Sequence, residues 1–252
     1  MRYLIVSDIH GNWDAMRTVL RRIKRKRFDR TLLLGDLVGY GAAPNQVMDE
    51  IRSLPGELFM VRGNHDKVVA GLESGEGFNE IALLSAEWTA QRLTERHREE
   101  LRALPTGPMI IEQGTEGVDL AICHGSPDDE DHYLFAEQDA WPAFHAEPHA
   151  HLTFFGHTHL PSLFILHQGG VRGMLLRGDG RIHVSDRLRY LVNPGSIGQP
   201  RDRDPRASFM IYDSDRRVLS WRRIDYPIER ARRRILEAGL PAALADRLNY
   251  GV

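Results

Sequence analysis

Five apolar runs in this chain each end in residues that bind metals, and that recurrence constrains the fold more than any other feature. They are LIVSDIH (4–10), TLLLGD (31–36), LFMVRGNHD (58–66), LAICHG (120–125) and LTFFGHTH (152–159). Short runs rich in Leu, Ile, Val and Phe, closed by Gly or Asp, read as buried strands. In an open α/β sheet, ligands gather beyond the carboxyl ends of the strands, so polar residues just past each run can converge on one site. Taken alone, FFGHTHLP (154–161) reads as two solvent-facing histidines at a strand end; the other four runs point instead to ligation.

Between these runs the first half of the chain is helical in period. Asn12 caps a helix in which Trp13, Met16, Leu20 and Ile23 recur at helical spacing. Val47, Ile51 and Leu54 mark a second helix, closed by Pro55-Gly56. Phe78 to Leu104 is a long helical stretch broken near Thr94. From Met109 the period changes, predicting strands at 109–113, 118–123, 152–156, 162–167, 172–177, 181–184, 189–192, 207–213 and 217–225. The final PIERARRRILEAGLPAALADRLN returns to helix, punctuated by Gly239 and Pro241. This order predicts βαβαβ units leading into strand-to-strand connections, hence an α/β fold of two mixed sheets packed face to face and flanked by helices. Residues 1–226 are expected to form one domain and 227–252 a short helical extension packed on it.

The 252 residues are 42 % apolar and 27 % charged, ordinary for a globular chain, and no apolar run is long enough to cross a bilayer. A single cysteine, Cys123, rules out an internal disulfide framework and fits a reducing cytoplasm, the expected location. The thiol is expected to face a core. With a net charge of −2 there is no global basic field to advertise a nucleic-acid partner. RRIKRKR (21–27) and RARRR (230–234) read as helix-terminal surface rather than nucleic-acid patches.

The five runs present Asp8, His10, Asp36, Asn64, His65, His124, His157 and His159. Carboxylate, imidazole and amide oxygen form a ligand set suited to Mn²⁺, Fe or Zn²⁺ rather than to a thiolate site.

The ordered blocks D-x-H, G-D, G-N-H-D, H-G and G-H-T-H resemble those of the calcineurin-like metallophosphoesterase family, over about residues 1–200. Each block alone is weak; five in order, each behind a strand, are specific. The resemblance implies an αββα sandwich and two divalent metal ions (Mn²⁺, Fe²⁺/Fe³⁺, Zn²⁺, Co²⁺ or Ni²⁺). It further implies Asp8, His10 and His159 on one ion, Asn64, His124 and His157 on the other, and Asp36 bridging both. The implied reaction is phosphoester hydrolysis, in the manner of a phosphodiesterase, by in-line attack of a metal-bridging hydroxide. His65, beside a ligand but not itself one, would bind a phosphoryl oxygen and protonate the leaving group.

Two departures narrow the branch. The protein phosphatases and symmetrical dinucleoside tetraphosphatases of the family continue the second block as G-D-x-x-D-R-G, whereas this chain has GDLVGYG, with Gly39 and Tyr40 in place of Asp-Arg. A protein phosphatase is therefore disfavoured. NPGSIGQPR (193–201) resembles a segment of small prokaryotic phosphodiesterases and reads first as a tight turn, with Arg201 a candidate for substrate phosphate. Asn12 and Tyr40 complete the candidate substrate-binding residues. PDDEDH (127–132) offers Asp131 or His132 as a further metal contact, against the plainer reading of a solvated loop. Tyr133 could stack an aromatic leaving group or simply pack. The competing readings are a non-catalytic metal-binding scaffold of the same fold and a nuclease. Scaffolds tend to lose ligands, and all seven are present here together with His65.

Overall fold

Alternate residues of the first strand face opposite ways, and both faces are buried. In β1 (Arg2–Val6), Tyr3 and Ile5 enter one apolar cluster, and Leu4 and Val6 another. A strand covered on both sides needs layers above and below it. The structure, a computed structural model describing residues 1–112 and 120–252, supplies them. Positions 113, 118 and 119, placed in strands by the sequence pattern, lie outside the described residues.

After β1 the chain forms α1 (Trp13–Ile23), β2 (Arg30–Leu33), α2 (Pro44–Ile51) and β3 (Glu57–Met60), then α3 (Asn64–Ala70), α4 (Glu80–Arg92) and α5 (Glu95–Arg102). There follow β4 (Met109–Glu112), β5 (Leu120–Ile122), α6 (Glu137–Ala146), β6 (Leu152–Phe154), β7 (Ser162–His167), β8 (Gly170–Leu175), β9 (Gly180–His183) and β10 (Arg189–Asn193). The last elements are β11 (Ala207–Asp213), β12 (Val218–Ile224), α7 (Ile228–Glu237) and α8 (Ala242–Tyr250).

One sheet runs β3-β2-β1-β11-β12-β9, parallel from β3 to β1 and antiparallel beyond; the other runs β4-β5-β6-β10-β7-β8, with β5, β6 and β10 parallel. Tyr3, Ile5, Leu32, Met210 and Tyr212 of the first sheet meet Ile122, Leu152, Phe154 and Val192 of the second in the central core. Leu4, Val6 and Leu33 share a second cluster with Met16, Val19, Val47, Ile235 and Leu248 of the helices. Leu191 and Phe164 share a third with Ala140, Ala143 and Phe144 of α6. This is the αββα sandwich that the sequence pattern predicts. Among the described residues, no helix is long and apolar enough to cross a membrane.

Helix ends follow local chemistry. Asn12 Oδ1 accepts from Ala15 N at 3.1 Å and starts α1, as expected. The predicted break near Thr94 is real: Thr94 Oγ1 accepts from His97 N at 3.3 Å, which caps α5 and ends the preceding helix. Two helices escape the periodicity. α3 has only seven residues and α6 contains Pro142, so neither shows a long apolar stripe. β7 spans the predicted 162–167, but β8 begins at Gly170 rather than at 172, because Gln168-Gly169 turns the chain and pairs His167 with Gly170.

Candidate metal centre

Parallel strands place their carboxyl ends on one rim, and every predicted polar residue lies just past one of them. Asp8 and His10 follow β1, Asp36 follows β2, Asn64 and His65 open α3 after β3, His124 follows β5, and His157 and His159 follow β6. All except Asn64 are buried. Among the described residues, eight non-glycine positions have positive φ, and six are Asp8, His10, Asp36, Tyr40, His157 and His159, with φ between 49° and 65°. Left-handed backbone costs such residues about 1–2 kcal/mol each. Strain collected at one point of the fold marks a functional constraint rather than loose chain.

Asp8, His10, Asp36 and His159 form one group of candidate ligands and Asp36, His124 and His157 another, the donor atoms within each lying within 4.8 Å of one another. Asn64 Oδ1, 3.2 Å from His124 Nε2, joins the second group. Asp36 is common to both: its Oδ2 is 3.4 Å from His10 Nε2 and 3.5 Å from His124 Nε2, while its Oδ1 accepts from His65 N at 2.9 Å.

The ring orientations fit cations. His10 Nδ1 donates to Val38 O at 3.1 Å, His159 Nδ1 to Gln199 O at 2.6 Å and His124 Nδ1 to Leu34 O at 2.7 Å. Each ring thereby turns its Nε2 inward, the second-sphere arrangement of metal-ligating histidines. His10 Nε2 and His159 Nε2 consequently face each other 3.0 Å apart. Burial depresses both imidazoles well below their usual range, so neither is protonated to bridge that gap, and a shared cation is the group that would. Asp8 Oδ2 is buried and has no hydrogen-bond partner. His157 directs Nε2 to Asp131 O at 3.0 Å, leaving Nδ1 as its lone-pair nitrogen. Burial holds His157 down to about 3. For His124, burial acts in the same direction but the Asp36 carboxylate outweighs it and lifts the ring to about 10; burial likewise opposes ionisation of Asp36, which His124 and His10 nevertheless hold well below the usual carboxylate range.

His65 stands beside both groups. Its ring lies 4.3 Å from that of Tyr40, 4.6 Å from Phe78 and 5.0 Å from His10, centroid to centroid, and burial pushes it down to about 4. A cavity of about 300 Å³ opens over Asp36, Asn64, His65, His157 and His159, walled by Tyr40, Phe78, Tyr133 and Arg201. Arg201 Nη2 donates to Gln199 Oε1 at 3.1 Å and to Tyr40 Oη at 3.5 Å, and its Nε is buried without a partner.

Other candidates have different surroundings. Asn12 stays out of this cavity: its Oδ1 caps α1, and its Nδ2 donates to Gly198 O at 2.9 Å and Tyr226 Oη at 3.3 Å. Glu73, Glu130 and Asp131 converge, but Lys67 Nζ sits among them at 3.0, 3.1 and 2.6 Å, so the Asp131 carboxylate faces an ammonium and not the histidines. Tyr133 stacks on His157 at 3.7 Å. Cys123 is buried in the cluster beneath α6, which pushes its thiol up. Three of the four RARRR arginines are paired: Arg230 and Arg234 with Asp14 at 4.0 and 2.8 Å, Arg232 with Glu229 and Asp246 at 2.9 and 3.0 Å. Asn193 Nδ2 donates to Thr158 Oγ1 at 3.0 Å and its Oδ1 accepts from Gly195 N at 2.7 Å, the expected tight turn. Sequence reasoning missed Phe78 and Lys67, which belong to no block; their roles come from packing between elements.

Residues 1–217 match the model of the calcineurin-like phosphoesterase superfamily domain. An uncharacterised protein of Methanocaldococcus jannaschii is 35 % identical over 251 residues, covering 98 % of this chain and 97 % of its own. The crystal structure of a metallophosphoesterase from Sphaerobacter thermophilus superposes with a TM-score of 0.84 at 35 % identity, over 100 % of this chain and 99 % of that one. A hypothetical protein of Pyrococcus horikoshii shares the fold at TM-score 0.81 and 20 % identity, over 100 % and 98 %. With the family model spanning most of the chain and two relatives aligned from end to end, the chain belongs to the calcineurin-like phosphoesterase superfamily.

Proposed function

We propose that this chain is a dinuclear-metal-dependent phosphoesterase that hydrolyses small phosphodiesters. The observation that carries the reading is the pair of buried ligand groups sharing Asp36, with the His10 and His159 Nε2 atoms turned on each other at 3.0 Å. Asp8, His10 and His159 would hold one ion, Asn64, His124 and His157 the other, and Asp36 both. Bound there, divalent cations would lower the pKa of a shared water and polarise a phosphoryl oxygen.

The remaining chemistry falls to side chains on the cavity wall. Arg201, whose Nε lacks a partner, would bind the non-bridging oxygens of the phosphodiester and fix it in line for attack. His65, neutral at rest because burial depresses it, would take up the proton that the attacking water gives up, hydrogen-bond a phosphoryl oxygen in that form, and hand the proton to the leaving alkoxide as the P–O bond breaks. A cavity of about 300 Å³ has the size to admit a compact ester.

The test is protein reconstituted separately with Mn²⁺, Fe²⁺, Co²⁺, Ni²⁺ and Zn²⁺, assayed on phosphomonoesters, bis(p-nitrophenyl) phosphate, cyclic nucleotides, dinucleotides and single-stranded nucleic acid. Turnover is expected, diesters ahead of monoesters. No turnover with any metal would sink the hydrolase reading in favour of a metal-binding scaffold.

A further inference from the structure

Residues 227–252 lie beyond the family match, which ends at residue 217, yet they grip the loop that carries Arg201. Gly251, at φ 62°, accepts from Arg203 N through its carbonyl at 2.8 Å, and a Cβ built on it would come within 2.8 Å of the Asp204 backbone. Backbone packs on backbone there, with no room for a side chain. On its other flank the loop is tied to β12, where Arg223 pairs with Asp202 and lies 3.8 Å from Asp204. Arg203 between these anchors has φ 66°, so the loop is held in a strained path.

Arg247, on α8, adds a second link. Its guanidinium carbon is 5.9 Å from the Tyr40 ring centroid, the same distance as that of Arg201, which also hydrogen-bonds the Tyr40 hydroxyl. Two guanidinium groups thus converge on one ring; Arg247 Nε is held by Val252 O, whereas Arg201 Nε is buried without a partner. Burial and the repulsion of Arg201 together hold Arg247 below its usual range, and the same repulsion biases Arg201 away from α8 and towards the cavity.

We propose that α8 and the residues after it position Arg201 for a phosphoryl anion, with Gly251 and Arg247 as positioning residues that do not touch substrate. This rests on the phosphate-binding role given to Arg201 above. The test uses full-length, Mn²⁺-reconstituted Gly251→Ala and Arg247→Met, with Arg247→Lys as the conservative variant. Inorganic phosphate binding is followed by calorimetry and bis(p-nitrophenyl) phosphate turnover by steady-state kinetics. Both Kd for phosphate and KM are expected to rise about tenfold in Gly251→Ala and Arg247→Met, with kcat within about twofold of wild type. Arg247→Lys should recover most of the affinity, and hydrogen exchange over residues 199–206 should quicken in Gly251→Ala. Phosphate affinity unchanged in both loss variants, or absent from the wild type, overturns the proposal. Phosphate binding that weakens as expected in a protein without turnover overturns the hydrolase reading alone. Should Gly251→Ala fail to fold, Arg247→Met carries the same measurement.

Discussion

Gly39 and His65 leave no space between them: a Cβ on Gly39 would lie 2.5 Å from His65 Nδ1 and 3.0 Å from its Cγ. Relatives that carry Asp-Arg in the second block place a carboxylate where this chain has Gly39, so His65 here is oriented by aromatic packing against Tyr40 and Phe78 instead. Restoring the carboxylate should therefore harm the site. Gly39→Asp and Gly39→Ala are expected to lower kcat by at least about tenfold, because the His65 ring must move, and to cost about 1–2 kcal/mol for a side chain at φ 87°. Steady-state kinetics and urea unfolding check both; a faster Gly39→Asp enzyme would show that the carboxylate suits this pocket after all.

His65 is expected to act on protons and not on metals. His65→Asn should reduce kcat by about 10²–10⁴-fold, the range for a lost general acid. Metal content by inductively coupled plasma mass spectrometry should stay at the wild-type level. Loss of an ion in this variant would move His65 into the ligand set and remove the proton-transfer assignment.

Much of this site is legible in the sequence because metal ligands follow strands, and buried strands announce themselves as apolar runs. The five blocks thus locate Asp8, Asp36, Asn64, His124 and the His157/His159 pair before any coordinates are considered. Strand alternation would place His157 and His159 on one side. Both instead adopt left-handed φ, 65° and 59°, and the pair divides, His157 towards His124 and His159 towards His10. What the sequence hides is contact between distant segments. Nothing in GEGFN marks Phe78 as a neighbour of His65, and nothing in the last helix marks Arg247 as a neighbour of Tyr40. Asn12 shows the opposite error: a polar residue close to a motif, occupied instead with capping a helix and tying it to Gly198.

Shared ligation should appear as unequal metal loss. Asp36 faces both groups, so Asp36→Ala should lose both ions, whereas His159→Ala should lose only one. Metal-to-protein ratios after gel filtration read this directly. Chelation should also lower the thermal midpoint of the wild type, since ions bound only by the folded state stabilise it by mass action. A midpoint indifferent to chelator, with full ratios in Asp36→Ala, would contradict a shared centre.

Beneath the cavity, stability should depend on pH through Glu130. Burial works against its carboxylate, but the forked pair with Arg62 (3.2 and 3.0 Å) and the Lys67 ammonium at 3.1 Å outweigh it, holding Glu130 below its ordinary 4.5. A carboxylate depressed in the folded state contributes stability that is fully present above the unfolded value; it is lost as pH falls through the folded one, because the unfolded chain binds the proton first. Glu130→Gln, which mimics the protonated group, should be less stable than wild type by about 1–3 kcal/mol at pH 7. The gap should begin to narrow below about pH 4.5 and continue closing as the folded carboxyl titrates. Urea midpoints of both proteins between pH 7 and 3 measure it. A gap that stays constant across that range would mean the Arg62–Glu130–Lys67 cluster adds no charge-dependent stability, and that Lys67 is held by Glu73 and Asp131 alone.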